Sequence, residues 1–170
     1  MSTDLKVHFS TIKKKDASEV AKLACEIWHE TYPGIITTAQ INYMLNNMYN
    51  SDIISNEIER GYIWKFLNLD KERIGFFSIF LNRNQHSMYI SKLYLKGEYQ
   101  GEGLGQHMLE HIRGIAKKGG FKVISLNVNK KNKKAITAYK RFGFEVNEST
   151  VKDIGGGYKM DDFIMVLKLS

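Results

Sequence analysis

The densest group of residues able to do chemistry is Gln100-Gly101-Glu102-Gly103-Leu104-Gly105. Three glycines in five positions let the backbone turn tightly and take positive φ, so that successive N–H groups can face one concavity. The stretch sits between a β-like apolar run, residues 88–95, and a helical pattern that begins near Leu104. A helix starting there points its unbonded first-turn N–H groups, and the positive end of its dipole, at the same spot. That arrangement suits phosphate or pyrophosphate. A Walker A loop would need Lys and Ser/Thr after its last glycine, whereas Gln106 and His107 follow Gly105. The dinucleotide spacing Gly-x-Gly-x-x-Gly is also not met, and no well-placed acidic residue follows about 20 positions on. A glycine-rich turn with no ligand accounts for the same residues.

A second group follows 27 residues later: Asn132, Ala135, Tyr139, Gly143 and Phe144. Positions 132, 135 and 139 share one helical face at i, i+3 and i+7. Read structurally, Tyr139 is a core aromatic and Gly143 a helix cap. A third group, His107-Met-Leu-Glu-His111, places two histidines at i and i+4 in an inverted zinc-protease pattern, but no third ligand is evident. The lone Cys25 falls inside a helical pattern and reads as packing.

The elements that must position these groups follow from periodicity. Residues 5–12 alternate and predict a strand. Asp16, with Glu19 three residues on, predicts the capped start of an amphipathic helix over 16–30, ended by Tyr32-Pro33-Gly34. Thr38 predicts the cap of a helix over 38–48, and a short helix follows over 51–60. Residues 62–69 and 73–81 predict a hairpin turning at 70–72, and a third strand covers 86–96. After the glycine loop, Leu104, Met108, Ile112 and Ile115 mark a helical stripe that ends at Gly119-Gly120. A strand over 122–128, a helix over 132–142 and strands over 144–151 and 158–169 close the chain. The strand–helix–strand around the glycine loop implies one parallel pair in an otherwise antiparallel sheet. The fold class is α/β (α+β): a mixed, mostly antiparallel sheet with helices on both faces.

Bulk composition narrows the classes. A chain of 170 residues suits one domain, 1–170, large enough to bury a core without staples. One cysteine excludes an internal disulfide framework and points to a reducing compartment. No apolar run reaches membrane-spanning length, and Met1-Ser-Thr-Asp-Leu-Lys lacks a signal-peptide core, so the expected location is cytoplasmic. The net charge of +7 favours anionic partners: nucleic acid, an acidic membrane or a polyphosphate cofactor.

Both motif groups resemble one family. Gln100, Gly103 and Gly105 are similar to the Gln/Arg-x-x-Gly-x-Gly/Ala loop of the GNAT N-acetyltransferases. Residues 132–144 resemble that family's Asn-x-x-Ala-x-x-x-Tyr-x-x-x-Gly-Phe run, and Leu93-Tyr94-Leu95 resembles its Leu-Tyr-Val strand. The likeness is strong over about 88–146. It implies acetyl-CoA as co-substrate, lying where the parallel strands splay, and no metal. Backbone N–H groups from Gln100 through Gly101, Glu102, Gly103, Leu104 and Gly105 would take the pyrophosphate. Leu93, Tyr94 and Leu95 would run beside the pantetheine arm, with a backbone N–H there holding the oxyanion. Asn132 and Ala135 would lie at the cofactor. Lys130, Lys131, Lys133 and Lys134 either offset the 3′-phosphate or form a solvated loop. Tyr139 would be the general acid for the departing thiolate after direct attack by a neutral amine in a ternary complex.

The family's base is often a carboxylate on the strand before the loop, and residues 86–95 contain none. Glu26, His29 and Glu30 end the first helix, where the family's acceptor site begins, and any of them could deprotonate the amine. Gly97 stands where relatives often carry proline, which would loosen the approach to the loop. Residues 28–32 and 160–165 loosely resemble the bacterial spermine/spermidine (PaiA-like) branch. Asp161 or Asp162 could therefore bind a cationic amine, but only one of two adjacent strand residues can face the acceptor. A polyamine or other small primary amine is the expected acceptor, with a protein N-terminus or lysine as alternative. A basic nucleic-acid-binding domain, or a CoA sensor without turnover, is the alternative of another class. The RNA-recognition aromatic signature and zinc-finger spacing are both missing. Monomer and homodimer are equally compatible with the chain.

Overall fold

The computed structural model describes residues 6–170. Leu5 of the expected first strand, and residues 1–4 of the stretch read for a signal peptide, lie outside the described residues. The elements are β1 (Val7–Thr11), α1 (Ala17–Thr31), α2 (Thr38–Met48), α3 (Ser51–Glu59), β2 (Ile63–Leu69), β3 (Glu72–Asn82), β4 (Ser87–Leu95), α4 (Leu104–Lys118), β5 (Val123–Asn129), α5 (Lys133–Phe142), β6 (Glu145–Gly155) and β7 (Tyr158–Lys168). Short 3-10 turns cover Lys14–Asp16 and Gly97–Tyr99. The strands form one sheet in the order β1-β2-β3-β4-β5-β7-β6. As expected, it is mixed: β4 and β5 are parallel, while β1–β2, β2–β3, β5–β7 and β6–β7 are antiparallel.

The chain divides into two compact units. The first comprises residues up to Ile79 together with Lys92–Glu102. Its core holds Val20, Leu23, Ala24, Ile27 and Trp28 of α1, with Ile41, Met44 and Ile54 of the next two helices. From the sheet come Trp64, Phe66, Phe76 and Phe77, each essentially without solvent exposure. Each such side chain contributes about 1.5–3 kcal/mol of burial. In β3, Gly75 is required by close approach. A Cβ there would lie 2.5 Å from the Tyr94 carbonyl oxygen, so any side chain would push β3 off β4.

Three local expectations in this unit are corrected. Asp16 does not cap α1 with its side chain; its Oδ2 accepts the Lys13 N–H at 2.9 Å, bracing the 3-10 turn before the helix. The cap of α2 is Thr37, whose hydroxyl accepts the Gln40 N–H at 3.1 Å, so Thr38 is already helical. Cys25 is exposed, with its thiol 3.7 Å from His29 Nδ1, because it falls off the buried stripe formed by Leu23, Ala24, Ile27 and Trp28.

The second unit comprises Phe80–Ser91 and the chain from Gly103 onward. Its parallel ladder makes four pairs, Ser87↔Val123 through Ile90↔Leu126, while β5 pairs with β7 along its full length, Val123↔Lys168 to Asn129↔Asp162. The buried face of α4 is Met108, Leu109, Ile112 and Ala116, one position rotated from the expected stripe. Leu104 and Ile115 are only half-buried, Leu104 because it opens the helix beside the glycine loop. Gly143 ends α5 at φ +122, and its N–H bonds the Tyr139 and Lys140 carbonyls; a Cβ there would come within 3.2 Å of Leu167.

Candidate active site

The loop geometry is that of an anion cradle. Gly101 and Gly103 adopt φ +84 and +83, and a Cβ at Gly101, Gly103 or Gly105 would meet nothing within 4 Å. Gly103 is the N-cap of α4 and supplies no capping side chain. The first helical hydrogen bond runs from the His107 N–H to the Gly103 carbonyl at 3.0 Å. The N–H groups of Leu104, Gly105 and Gln106 therefore precede the helical ladder, at the positive end of the dipole. The residues present fit a diphosphate.

The segment leading into the loop is braced within the first unit. Glu30, at the end of α1, accepts the Gly97 N–H with Oε2 at 3.0 Å, and a Cβ at 97 would lie 3.2 Å from the same oxygen. Gly97 therefore tightens the approach to the loop, contrary to expectation: a proline would lose this bond and crowd the carboxylate. The Tyr99 hydroxyl donates to Glu72 Oε2 at 2.6 Å, which pushes the phenol up to about 12. Gln100 donates through Nε2 to the Leu95 carbonyl at 3.0 Å, folding the first loop residue back on β4.

Within the second unit, α4 and α5 are tied together. Gln106 donates through Nε2 to the Ala138 carbonyl at 3.2 Å, and the Arg113 guanidinium lies 4.5 Å from the centre of the Phe142 ring. The helix that begins at the glycine loop is thus fixed to the one that carries Tyr139. Gln106 was not singled out from sequence, because a glutamine in a first helical turn carries no signal of its partner. Asn132 caps α5, its Oδ1 accepting the Ala135 N–H at 3.3 Å, which leaves its amide N–H groups as donors. Tyr139 is half-buried and packs edge-on against Phe144 at 5.8 Å. No hydrogen bond to its hydroxyl is formed among the described residues, and burial alone pushes the phenol up to about 12. It is a protonated donor without an acceptor among the described residues.

The other expected site residues are distributed between the units. In the first, His29 lies between the Cys25 carbonyl, 2.8 Å from Nδ1, and Asn42 Oδ1, 3.2 Å from Nε2. Glu26 is exposed, with Lys96 Nζ at 3.7 Å. Leu93 is half-buried, Leu95 is buried, and between them Tyr94 shares a hydroxyl–hydroxyl contact of 3.2 Å with Tyr32. In the second unit the two aspartates point opposite ways, as strand alternation requires. Asp161 is exposed and pairs with Lys130 Nζ at 2.6 Å. Asp162 is buried; burial raises its pKa, against a lowering hydrogen bond from Asn127. Lys130 is therefore committed to Asp161 and lies 5.5 Å from the centre of the Phe163 ring. Among the described residues, no three His, Cys, Asp or Glu side chains gather as a metal site, and Glu110 of the His-x-x-Glu-His pattern pairs with Arg113 at 2.5 Å. No helix of the described residues is long and apolar enough to cross a membrane.

Comparison with known proteins agrees with this geometry. Spermidine N(1)-acetyltransferase of Thermoplasma acidophilum is 26% identical over 156 residues, covering 88% of this chain and 94% of that protein. N-alpha-acetyltransferase 50 of Danio rerio is 32% identical over 104 residues, covering 59% and 62% of the two chains. The crystal structure of PaiA N-acetyltransferase from Thermoplasma acidophilum, in complex with coenzyme A, superposes with a TM-score of 0.82 at 26% identity over 97% of this chain and 100% of that one. Residues 21–144 match the acetyltransferase (GNAT) family, which spans the glycine loop, Asn132 and Tyr139. The chain belongs to the GNAT family of acetyltransferases.

Proposed function

We propose that this acetyl-CoA-dependent N-acetyltransferase acts as one domain over 1–170, acetylating an aliphatic primary amine of the polyamine class by direct attack in a ternary complex. The observation that carries the acyl-transfer part is the uncapped start of α4 at Gly103, tied through Gln106 and Ala138 to the helix that bears Tyr139. The amine class is supported by the spermidine-acetylating relative that matches over most of its length.

In this reading the N–H groups of Leu104, Gly105 and Gln106 bind the diphosphate of acetyl-CoA, aided by the helix dipole. Backbone groups at Leu93, Tyr94 and Leu95 run beside the pantetheine arm and polarise the thioester carbonyl. The amide N–H groups of Asn132 bind the same arm, and Ala135 leaves room for it. Tyr139 donates a hydrogen bond to the sulfur as charge builds there. A phenol held at about 12 keeps its proton at any working pH, so the donor form is always present. Its help grows along the reaction coordinate and is largest at the transition state. Loss of the amine proton falls to Glu26, acting through water, because His29 and Glu30 are each held by closer partners. Asp161, the exposed member of its pair, offers a second ammonium of the acceptor the carboxylate oxygen that Lys130 does not engage. Lys131 and Lys133, exposed beside Asn132, offset the 3′-phosphate.

Initial-rate patterns test this reading. Varying acetyl-CoA at several fixed amine concentrations should give intersecting lines, the signature of a ternary complex. Parallel lines would require an acetylated enzyme and overturn it. A second reading, acetylation of a protein N-terminus, is favoured by the N-alpha-acetyltransferase 50 relative, and short peptides with free N-termini belong beside the amines.

A further inference from the structure

We propose that the acceptor amine is seated on the paired hydroxyls of Tyr32 and Tyr94, backed by the buried rings of Trp28 and Tyr49. This rests on the reading that the acceptor is an aliphatic amine. All four residues belong to the first unit.

The two hydroxyls lie 3.2 Å apart, Tyr32 at the end of α1 and Tyr94 on β4. Both residues are half-buried and so not closed into the core. Behind them the rings close up: Trp28 lies 4.4 Å from Tyr32, 5.1 Å from Tyr49 and 5.8 Å from Tyr94, and Tyr49 lies 6.1 Å from Tyr94. Trp28 and Tyr49 are 3% and 4% exposed, a dry floor under a half-buried rim. The buried Tyr49 hydroxyl sits among these groups, hydrogen-bonded to Tyr94 and Trp28.

This chemistry favours an alkylammonium or alkylamine. Phenol oxygens accept N–H groups, and aromatic faces attract cations, by about 0.5–1 kcal/mol at exposed sites and 2 or more when dry. The cluster already holds one ammonium of the chain's own. Lys92, two residues before Tyr94 on β4, is 8% exposed. Its Nζ lies 3.3 Å from Glu57 Oε1 and 5.3 and 5.2 Å from the centres of the Tyr49 and Trp64 rings. Glu57 offsets that charge, so the cluster offers no uncompensated cation to an acidic acceptor. Tyr94 also stands between Leu93 and Leu95. An amine on its hydroxyl is held one residue from the backbone assigned to the thioester.

The test uses Tyr32→Phe, Tyr94→Phe and the double variant, each keeping the ring and losing the oxygen. Steady-state kinetics with spermidine should show the amine KM raised roughly 5–50-fold in the double variant, the size expected for losing one or two hydrogen bonds to a cation. The acetyl-CoA Kd and the melting temperature should stay near wild type. Spermidine titrated without acetyl-CoA should also quench tryptophan fluorescence in the wild type and not in the double variant. An unchanged KM and unchanged quenching in the folded double variant would overturn the seat. If no amine is turned over, yet the wild type shows quenching that the double variant lacks, the seat stands and the acetylation reading fails. Should Tyr94→Phe not fold, Tyr32→Phe, at a helix end, carries the same comparison.

Discussion

Replacing Tyr139 with Phe isolates one oxygen atom. Tyr139 is half-buried; its hydroxyl bonds to nothing among the described residues and sits on a ring packed edge-on to Phe144 at 5.8 Å. Its removal strands no partner, so folding stability should change by less than about 0.5 kcal/mol. The kinetic cost is different in kind. A positioned acid is typically worth about 10²–10⁴-fold, or roughly 2.7–5.4 kcal/mol of barrier. Rapid-quench single turnovers, with acetyl-CoA and amine saturating, should show that loss in the chemical step while calorimetry finds acetyl-CoA affinity unchanged. A thioester with a less basic leaving thiol should recover part of the rate. The pH dependence follows from burial, which moves the phenol from 10.0 to about 12. The folded protein then keeps a proton that the unfolded chain gives up. Tyr139's contribution to stability is fully present below pH 10 and is lost as pH rises through about 12. The Phe variant should lack this alkaline loss. Chemistry at the wild-type rate in the Phe variant would make Tyr139 a packing residue and refute the assignment.

The glycine loop is better probed at Gly105 than at Gly103. Gly105 lies within α4 with nothing within 4 Å of a Cβ, so Gly105→Val should fold and yet lose at least tenfold in acetyl-CoA affinity by calorimetry; at Gly103, φ +83 adds about 1–2 kcal/mol of backbone strain. Gly97→Pro removes the N–H that Glu30 accepts and should cost about 1–3 kcal/mol, read as a lowered denaturation midpoint; an unchanged midpoint would show that the brace is idle. Asp161→Asn should raise the polyamine KM a few-fold, whereas Asp162→Asn should leave it alone, and equal kinetics for both variants would remove the carboxylate from acceptor binding. Because the Asp162 carboxyl is raised by burial, its favourable contribution to stability is full below the ordinary carboxylate pKa and is lost as pH rises through the folded value. Asp162→Asn should therefore be neutral or stabilising at pH 7, with the difference from wild type shrinking in acid, as thermal melts at both pH values can show.

Much of this was legible in the chain. The glycine loop and the Asn132–Phe144 run are local: their glycines, cap and helical spacing act over a few residues, and the structure places each on the expected strand–loop–helix and helix. The parallel β4–β5 pair followed from the handed crossover around the loop. The cap of α2 was misread by one residue because Thr37 and Thr38 are both good caps, and only the turn before them decides which leaves the helix first. The α4 stripe was misread because Leu104 satisfies the periodicity but sits where the helix opens. The bonds that matter most to the site were not legible. Glu30 with Gly97, Gln106 with Ala138, Lys92 with Glu57 and Tyr32 with Tyr94 join residues 32 to 67 positions apart, and nothing in one sequence pairs them. The cluster around Tyr94 was hidden for the same reason: aromatics in an apolar pattern read as core until their hydroxyls are seen to meet.

The central claim is acetyl transfer from acetyl-CoA to an aliphatic amine. The most direct measurement is a single-turnover panel with the purified full chain, acetyl-CoA, spermidine, spermine, simple alkylamines and short peptides with free N-termini, followed by mass spectrometry of the acceptors. The account predicts one free CoA released for each acetyl group added, with N-acetylated polyamine as the leading product. Tight acetyl-CoA binding with no acetylated acceptor anywhere in the panel, or acetylation confined to the peptides, would contradict it.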